Sequence, residues 1–345
     1  MLENRVINIA ELCYAIGYLI LEQMSVFWDK NSEDVANQIG YSTLSIIFGI
    51  KNKDMSKLEN YFDKLDNAQV IEEFTQEIIK IYKDINNRFA KIFQVPGFDK
   101  NIYYGQKTAS DFQLLSFFGS LWVTKFENLQ SGKLIRRQKY NVNYKIIENN
   151  LVKYFIYDVV QGRWSGSGDS RLDSIVIDGE IYYLSNIEKE RFENVLVNWH
   201  EELVNKSSIR FEPVSKMLYT ILSSFYPQYY NEKKYDSEHV VSYHAINKIR
   251  KKSNISIPGG AIGNHMYLSM ASNRSKKEFS LYDIKKEGFE IKEEFINYQA
   301  YPSEDQFSKI YFEFERDNGD YEAIVNTITK RGQYLITDLV NKMFD

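Results

Sequence analysis

The chain is expected to fold as a mainly α protein, a helical bundle with little sheet. Three observations predict this. Apolar residues recur at helical spacing through most long segments, and only five prolines interrupt 345 residues. Hydrophobic residues make up 43% of the chain, enough for a sizeable core. No low-complexity tract and no repeat at a solenoid period is evident.

Taken in order, residues 5–28 carry Ile7, Ile9, Leu12, Ala15, Ile16, Leu19 and Ile20 on a helical period. A second helix is expected after the cap-like Asn31-Ser32, running to about Phe48, then two more over Met55–Leu65 and Ala68–Phe93. Pro96-Gly97 ends that region. Ser110–Leu129 is apolar on several sides (Phe112, Leu114, Leu115, Phe117, Phe118, Leu121, Trp122), which predicts a central helix. Lys133–Lys139 reads as a solvated helix end rather than a nucleic-acid contact, and Tyr144–Val160 returns to helical spacing.

Gln161–Asp173 brings glycines and serines together, but it lacks the Gly-x-x-x-x-Gly-Lys-Ser/Thr pattern of a phosphate loop. A turn in which Arg163 and Asp173 make structural pairs is expected there. Val176–Leu184 alternates around Asp178-Gly179, as a short hairpin would. Helices resume at about 188–204 and 214–225, 289–314 is mixed, and Tyr321–Phe344 is an amphipathic helix. The organisation drawn from this is a helical module over 1–107 and a helical domain over 108–345.

Composition excludes several classes. One cysteine, Cys13, allows no disulfide framework and no cysteine zinc site, which fits a reducing cytoplasm. The N-terminus lacks the pattern of a signal peptide. Leu12–Trp28 is short for a membrane span and contains Glu22 and Gln23, so a core helix is expected and no membrane. A net charge of -4 gives no global attraction to nucleic acid, so any such surface must be local.

Asp236–Lys277 supplies one. Lys248, Arg250, Lys251, Lys252, Arg274, Lys276, Lys277, Lys285 and Lys286 outweigh Asp236, Glu238, Glu278, Asp283 and Glu287 between Asp236 and Glu287. His239, preceded by Glu238 and followed by Val240 and Val241, falls where a short strand would hold it. Its side-chain type titrates near 6.5, suited to a general base. Glu238 and Asp236 offer hard oxygen to Mg²⁺ or Mn²⁺. Pro258-Gly259-Gly260 leads to Gly263-Asn264, and Asn273 opens a basic run, Arg274-Ser275-Lys276-Lys277, suited to a helix N-terminus facing phosphate. His244 and His265 are alternates that lack a preceding acid, and His200 lies in an ordinary helical segment.

At these residues the chain resembles the HNH, or ββα-metal, nucleases. Glu238-His239-Val240 looks like that family's first strand, Gly263-Asn264 with Tyr267 and Leu268 like its second, and Asn273-Arg274-Ser275-Lys276 like its helix. The resemblance implies a small ββα insert at about 230–290, in a His-Asn-Asn variant. It further implies that His239 and Asn264 are catalytic and that Glu238, Asn273 and Asp236 bind one divalent cation. Arg274, Lys276, Lys277, Lys251 and Lys252 would hold nucleic acid.

More narrowly, about residues 110–345 are similar to the HNH half of GmrSD-type restriction proteins. Arg163-Trp164-Ser165-Gly166, Tyr226-Pro227 and Ile328-Thr329-Lys330-Arg331 with Leu335 carry that similarity. That group pairs its HNH half with a nucleotide-reading domain marked Asp-Gly-Gln-Gln-Arg, a stretch not found here. The expected function is therefore metal-dependent cleavage of DNA in restriction of foreign or modified DNA, with a separate nucleotide-reading subunit as partner. The alternative is a non-catalytic helical scaffold that binds nucleic acid through a degenerate HNH module.

Overall fold

The computed structural model describes residues 8–29, 32–64, 68–98, 108–206, 208–253, 256–315 and 321–345. It is mainly helical, as expected, and its contacts gather into two compact units. The first comprises Met1–Ala90 with Ala109–Ile187, the second Lys91–Thr108 with Glu188–Asp345.

The first unit contains α1 (Ile9–Gln23), α2 (Glu33–Phe48), most of α3 (Ala68–Phe93), α4 (Asp111–Lys125), α5 (Asn141–Val160) and α6 (Gly168–Val176). The Asn8 side chain caps α1 by accepting from the Ala10 amide at 2.9 Å. The α1 and α2 backbones touch through glycine. A Cβ added at Gly17 would lie 1.8 Å from the Ala36 carbonyl oxygen, and one at Gly40 1.8 Å from that of Cys13. The apolar helix expected at the centre is α4, with Leu114, Leu115, Phe117, Phe118, Leu121 and Trp122 all buried. Tyr82 of α3 stacks on Phe118 at 4.5 Å and shares a 2.9 Å hydrogen bond with Thr43.

The Gly-Ser stretch forms the α5–α6 turn. Asp158, fully buried, accepts hydrogen bonds from Trp164 Nε1 at 3.0 Å and from the Tyr182 hydroxyl, while Arg163 donates to that hydroxyl at 2.8 Å. Asp173 accepts from the Asn52 amide. Both residues make structural pairs, as predicted. The hairpin expected at Val176–Leu184 does not form. Its residues close α6, turn at Gly179 (φ 83°) and enter a 3₁₀ turn, Tyr182–Leu184. Side-chain anchors replace a ladder there. Asn150 Nδ2 donates to the Tyr183 carbonyl at 3.0 Å, and the Tyr183 hydroxyl meets Ser116.

The second unit contains α7 (Lys189–Val204), α8 (Pro213–Ser224), β1 (Tyr235–His239), α9 (Tyr243–Ser253), β2 (His265–Ser269) and α10 (Met270–Lys276). After them come α11 (Leu281–Lys286), α12 (Glu293–Tyr298), α13 (Glu304–Glu315) and α14 (Glu322–Phe344). Ser280 and Asp283 form a reciprocal capping box at the start of α11. The post of this unit is α14, whose buried stripe (Ile324, Ile328, Leu335, Ile336, Leu339, Val340) packs on α7, α8, α13 and the 3₁₀ turn Ile262–Asn264. Among the described residues no helix is long and apolar enough to cross a membrane.

Candidate functional site

Strands β1 and β2 pair antiparallel, with Asp236 opposite Leu268, Glu238 opposite Met266 and His239 opposite His265. The Tyr235 amide also donates to the Gly97 carbonyl at 3.3 Å, which ties down the start of β1. Helix α10 follows β2 directly, its first turn capped by the Ser269 side chain accepting from the Ser272 amide at 3.3 Å. The order strand–strand–helix is thus present, with α9 inside the connection between the strands.

Strand periodicity puts Asp236 and Glu238 on one face of β1 and Ser237 and His239 on the other. Helix periodicity puts Asn273 and Lys276 on one face of α10. These two polar faces meet. Asn273 Nδ2 donates to Asp236 Oδ2 at 3.1 Å, and Lys276 Nζ donates to Glu238 Oε1 at 3.3 Å and to the His239 carbonyl at 2.8 Å.

Lys276 is 0% exposed, a correction to its expected role as a solvent-facing phosphate cation. Burial raises the Glu238 carboxyl pKa and lowers that of the Lys276 ammonium, while their mutual attraction opposes both shifts. The basic run is also not at a helix N-terminus: α10 starts at Met270, so Arg274 and Lys276 fall in its last turn. Cations there complement the C-terminal end of a helix dipole. Arg274, Lys277 and Lys251 are exposed, and the side chain of Lys252 lies outside the described residues.

On the opposite face His239 is half-buried and stacks on Phe211, ring centroids 3.8 Å apart. Its Nε2 lies 3.1 Å from the Ile209 carbonyl oxygen. Burial, reinforced by the charges of Lys276 and Lys216, pushes its pKa down to about 4. The ring is therefore neutral near pH 7. A carbonyl can only accept, so Nε2 carries the hydrogen and Nδ1 keeps its lone pair. That is the tautomer a base needs.

Asn264 is fully buried and holds the chain just after His239. Its Oδ1 accepts from the Val241 amide at 2.7 Å, and its Nδ2 donates to the carbonyls of Val241 at 3.2 Å and Gly259 at 2.9 Å. The Val240 amide donates to the Asn264 carbonyl at 2.8 Å. Together with Lys276 on the His239 carbonyl, the backbone leaving His239 is pinned from two sides. Gly263 permits the approach of α14 behind it, since a Cβ there would lie 1.8 Å from the Ile328 carbonyl oxygen.

Arg331 of α14, which in the sequence figured only within the Ile328–Leu335 motif and was given no role of its own, braces this turn. It is 4% exposed, and Nη1 donates to the carbonyls of Gly263 and His265 at 2.8 Å each, the two residues flanking Asn264. Nε donates to Gln299 and Ala300 carbonyls at 3.0 and 3.2 Å. Phe211 and the Ile209 carbonyl were likewise missed, since nothing local marks them. Of the other histidines, His265 is buried with Nε2 2.7 Å from Ser237 Oγ, and His200 is buried with Nε2 3.1 Å from the Thr329 carbonyl. His244 is exposed, 3.4 Å from Glu278.

Among the described residues no group of three or more His, Cys, Asp and Glu is placed to hold a metal ion. The Asp236–Asn273 pair nevertheless offers hard oxygen of the kind a hydrated divalent cation accepts, since such cations keep several waters and use one or two carboxylates with substrate phosphates. Glu238 is a poorer candidate because the Lys276 ammonium already occupies its Oε1. No protein-family model matches the chain, and neither the curated proteins nor the solved structures give a significant match.

Proposed function

We propose that this protein is a metal-dependent endonuclease of the HNH type that cleaves DNA phosphodiesters. The observation that carries the reading is His239, held on a strand end with Nε2–H donated to the Ile209 carbonyl and Nδ1 left as an acceptor. In the reaction Nδ1 takes a proton from the attacking water as its oxygen bonds to phosphorus. The phosphorus–oxygen bond to the leaving sugar oxygen then breaks. An adjacent phosphate anion raises the histidine pKa above its value in the free protein, which strengthens the base when substrate is bound.

Asn264 keeps the histidine turn in place, and the exposed Arg274, Lys277 and Lys251 attract the backbone phosphates. Asp236 and Asn273 would hold one Mg²⁺ or Mn²⁺, which supplies charge neutralisation at the phosphate and leaving oxygen. By resemblance to the GmrSD-type proteins, the biological setting is restriction of foreign or modified DNA in the cytoplasm. The nucleotide-reading partner would then be supplied from outside these 345 residues.

Incubation with supercoiled plasmid and Mg²⁺ or Mn²⁺ tests the reading. Wild type is expected to nick and linearise the plasmid, and His239→Ala to leave it intact. Equal outcomes for the two proteins would overturn it. A parallel RNA substrate separates deoxyribonuclease from ribonuclease. A second reading, a DNA-binding scaffold without catalysis, is favoured by one feature, the Lys276 ammonium on Glu238. It predicts plasmid binding by gel shift with no nicking in either protein.

A further inference from the structure

Beside the Asp236–Asn273 pair lies a cleft of about 590 Å³, within the range of small-ligand sites. Its lining neighbours the candidate site in chain and register: Leu268 is the cross-strand partner of Asp236, Tyr235 precedes Asp236 and Ser272 precedes Asn273. Its floor is apolar and buried, made by Tyr235, Leu268 and Ile291. Tyr229 and Phe295 line it as half-buried aromatic walls. The rim is preorganised. The Tyr235 hydroxyl accepts from the Glu232 amide at 3.0 Å and donates to the Tyr229 carbonyl at 3.4 Å.

The polar lining selects what can enter. Glu232, Glu290 and Glu294 face it against a single cation, Lys292, so a phosphate would be repelled. Aromatic walls favour a flat π-face, and carboxylates beside the amides of Gln228 and Asn231 favour a ring edge bearing an amino donor. A nucleobase turned out of its stack has that chemistry, and its phosphate would remain outside by the neighbouring pair.

We propose that this cleft receives one amino-bearing base, cytosine, adenine or guanine, of the nucleic-acid strand held at the Asp236–Asn273 pair. The proposal rests on the nuclease reading for the identity of its neighbour. Its test is one of binding and does not require cleavage. Base capture of this kind selects the nucleotide next to the scissile bond by its edge, with the carboxylates favouring an exocyclic amino donor over thymine, whose single N3–H lies between two carbonyl acceptors.

The experiment measures binding of the full chain to short fluorescein-labelled oligo-dC, oligo-dA and oligo-dT by anisotropy, with Ca²⁺ in place of Mg²⁺. Wild type is expected to bind dC and dA about tenfold tighter than dT. Glu290→Gln with Glu294→Gln, both exposed positions, should flatten that preference, and Phe295→Ala should weaken all three by about tenfold. Circular dichroism confirms that the variants remain folded. The proposal is overturned by no binding, by no preference in wild type, or by variants that match wild type. Displacement of the oligonucleotide by arginine amide would also overturn it, in favour of an organic-cation site. Plasmid nicking keeps the two ideas apart: base-selective binding without nicking retains the cleft and sinks the nuclease, and nicking without base selectivity does the reverse.

Discussion

Arg331 donates a 2.8 Å hydrogen bond to the His265 carbonyl, linking the last helix of the chain to the strand that faces His239. The same nitrogen holds the Gly263 carbonyl, so one guanidinium grips the backbone on both sides of Asn264. Among the described residues no carboxylate accepts a hydrogen bond from it. It is solvated instead by carbonyl dipoles and the Tyr219 hydroxyl at 3.3 Å.

Arg331→Lys is therefore expected to behave as a severe change. A lysine has no planar fork to reach carbonyls on three segments, and it leaves several buried acceptors unpaired. A loss of roughly 3 kcal/mol in urea unfolding is expected. A loss below about 0.5 kcal/mol would show that the brace carries no weight.

Lys276 and Glu238 should be coupled. Lys276→Met strands a buried carboxylate and is expected to destabilise by about 3 kcal/mol at pH 7. Adding Glu238→Leu should recover most of that, because paired apolar replacements of a buried ion pair are often neutral. Additive losses in the double-mutant cycle would refute the coupling.

The two carboxylates of β1 should separate in function. Asp236→Ala is expected to abolish Mn²⁺-dependent nicking, whereas Glu238→Gln, which still accepts from Lys276, should keep it within about tenfold. The opposite ranking would move the ligand assignment to Glu238.

Acid should destabilise the fold through its buried imidazoles. Burial lowers the pKa of His200, puts His265 well below its ordinary value and takes His239 to about 4. Each histidine is neutral in the fold while its unfolded counterpart protonates near 6.5. Between those values the unfolded chain binds more protons, so stability is present above pH 6.5 and is lost as pH falls toward 4. For His239 alone the full loss is roughly 3 kcal/mol. The raised carboxyls of Asp158, Asp173 and Glu238 act in the opposite sense, so the histidine contribution is read by difference. The drop in Tm between pH 7.5 and 5 should shrink in His200→Gln, and an unchanged drop would exclude His200 as a source.

The helical class was legible because periodicity reports burial directly, and α4 because a run that is apolar on several sides has to be enclosed. Asn264 was picked out through the resemblance of Gly263-Asn264 to the second HNH strand, and the structure buries it with its side-chain amide bonded to the Val241 and Gly259 backbone. Lys276 was misread because a lysine inside a basic run carries no local sign that its stem will be enclosed. The bracing role of Arg331 was hidden for a related reason: its acceptors lie in the Ile262–Asn264 turn, on β2, on α8 and just after α12, remote in sequence from α14. The Val176–Leu184 alternation misled because side-chain bonds from Tyr182 and to Tyr183, which no local period reports, hold that stretch in place of a ladder.

The pinning of Val241 by Asn264 has a consequence for how such a chain can vary. Once those two points are fastened, the segment between them that holds α9 is a closed excursion whose length is decoupled from the strand register. Each doubling of such an excursion adds only about 0.6 kcal/mol of closure entropy. Outside its buried Ile246, Ile249 and Ile257, that excursion can accordingly gain or lose residues while His239 and Asp236 keep their places.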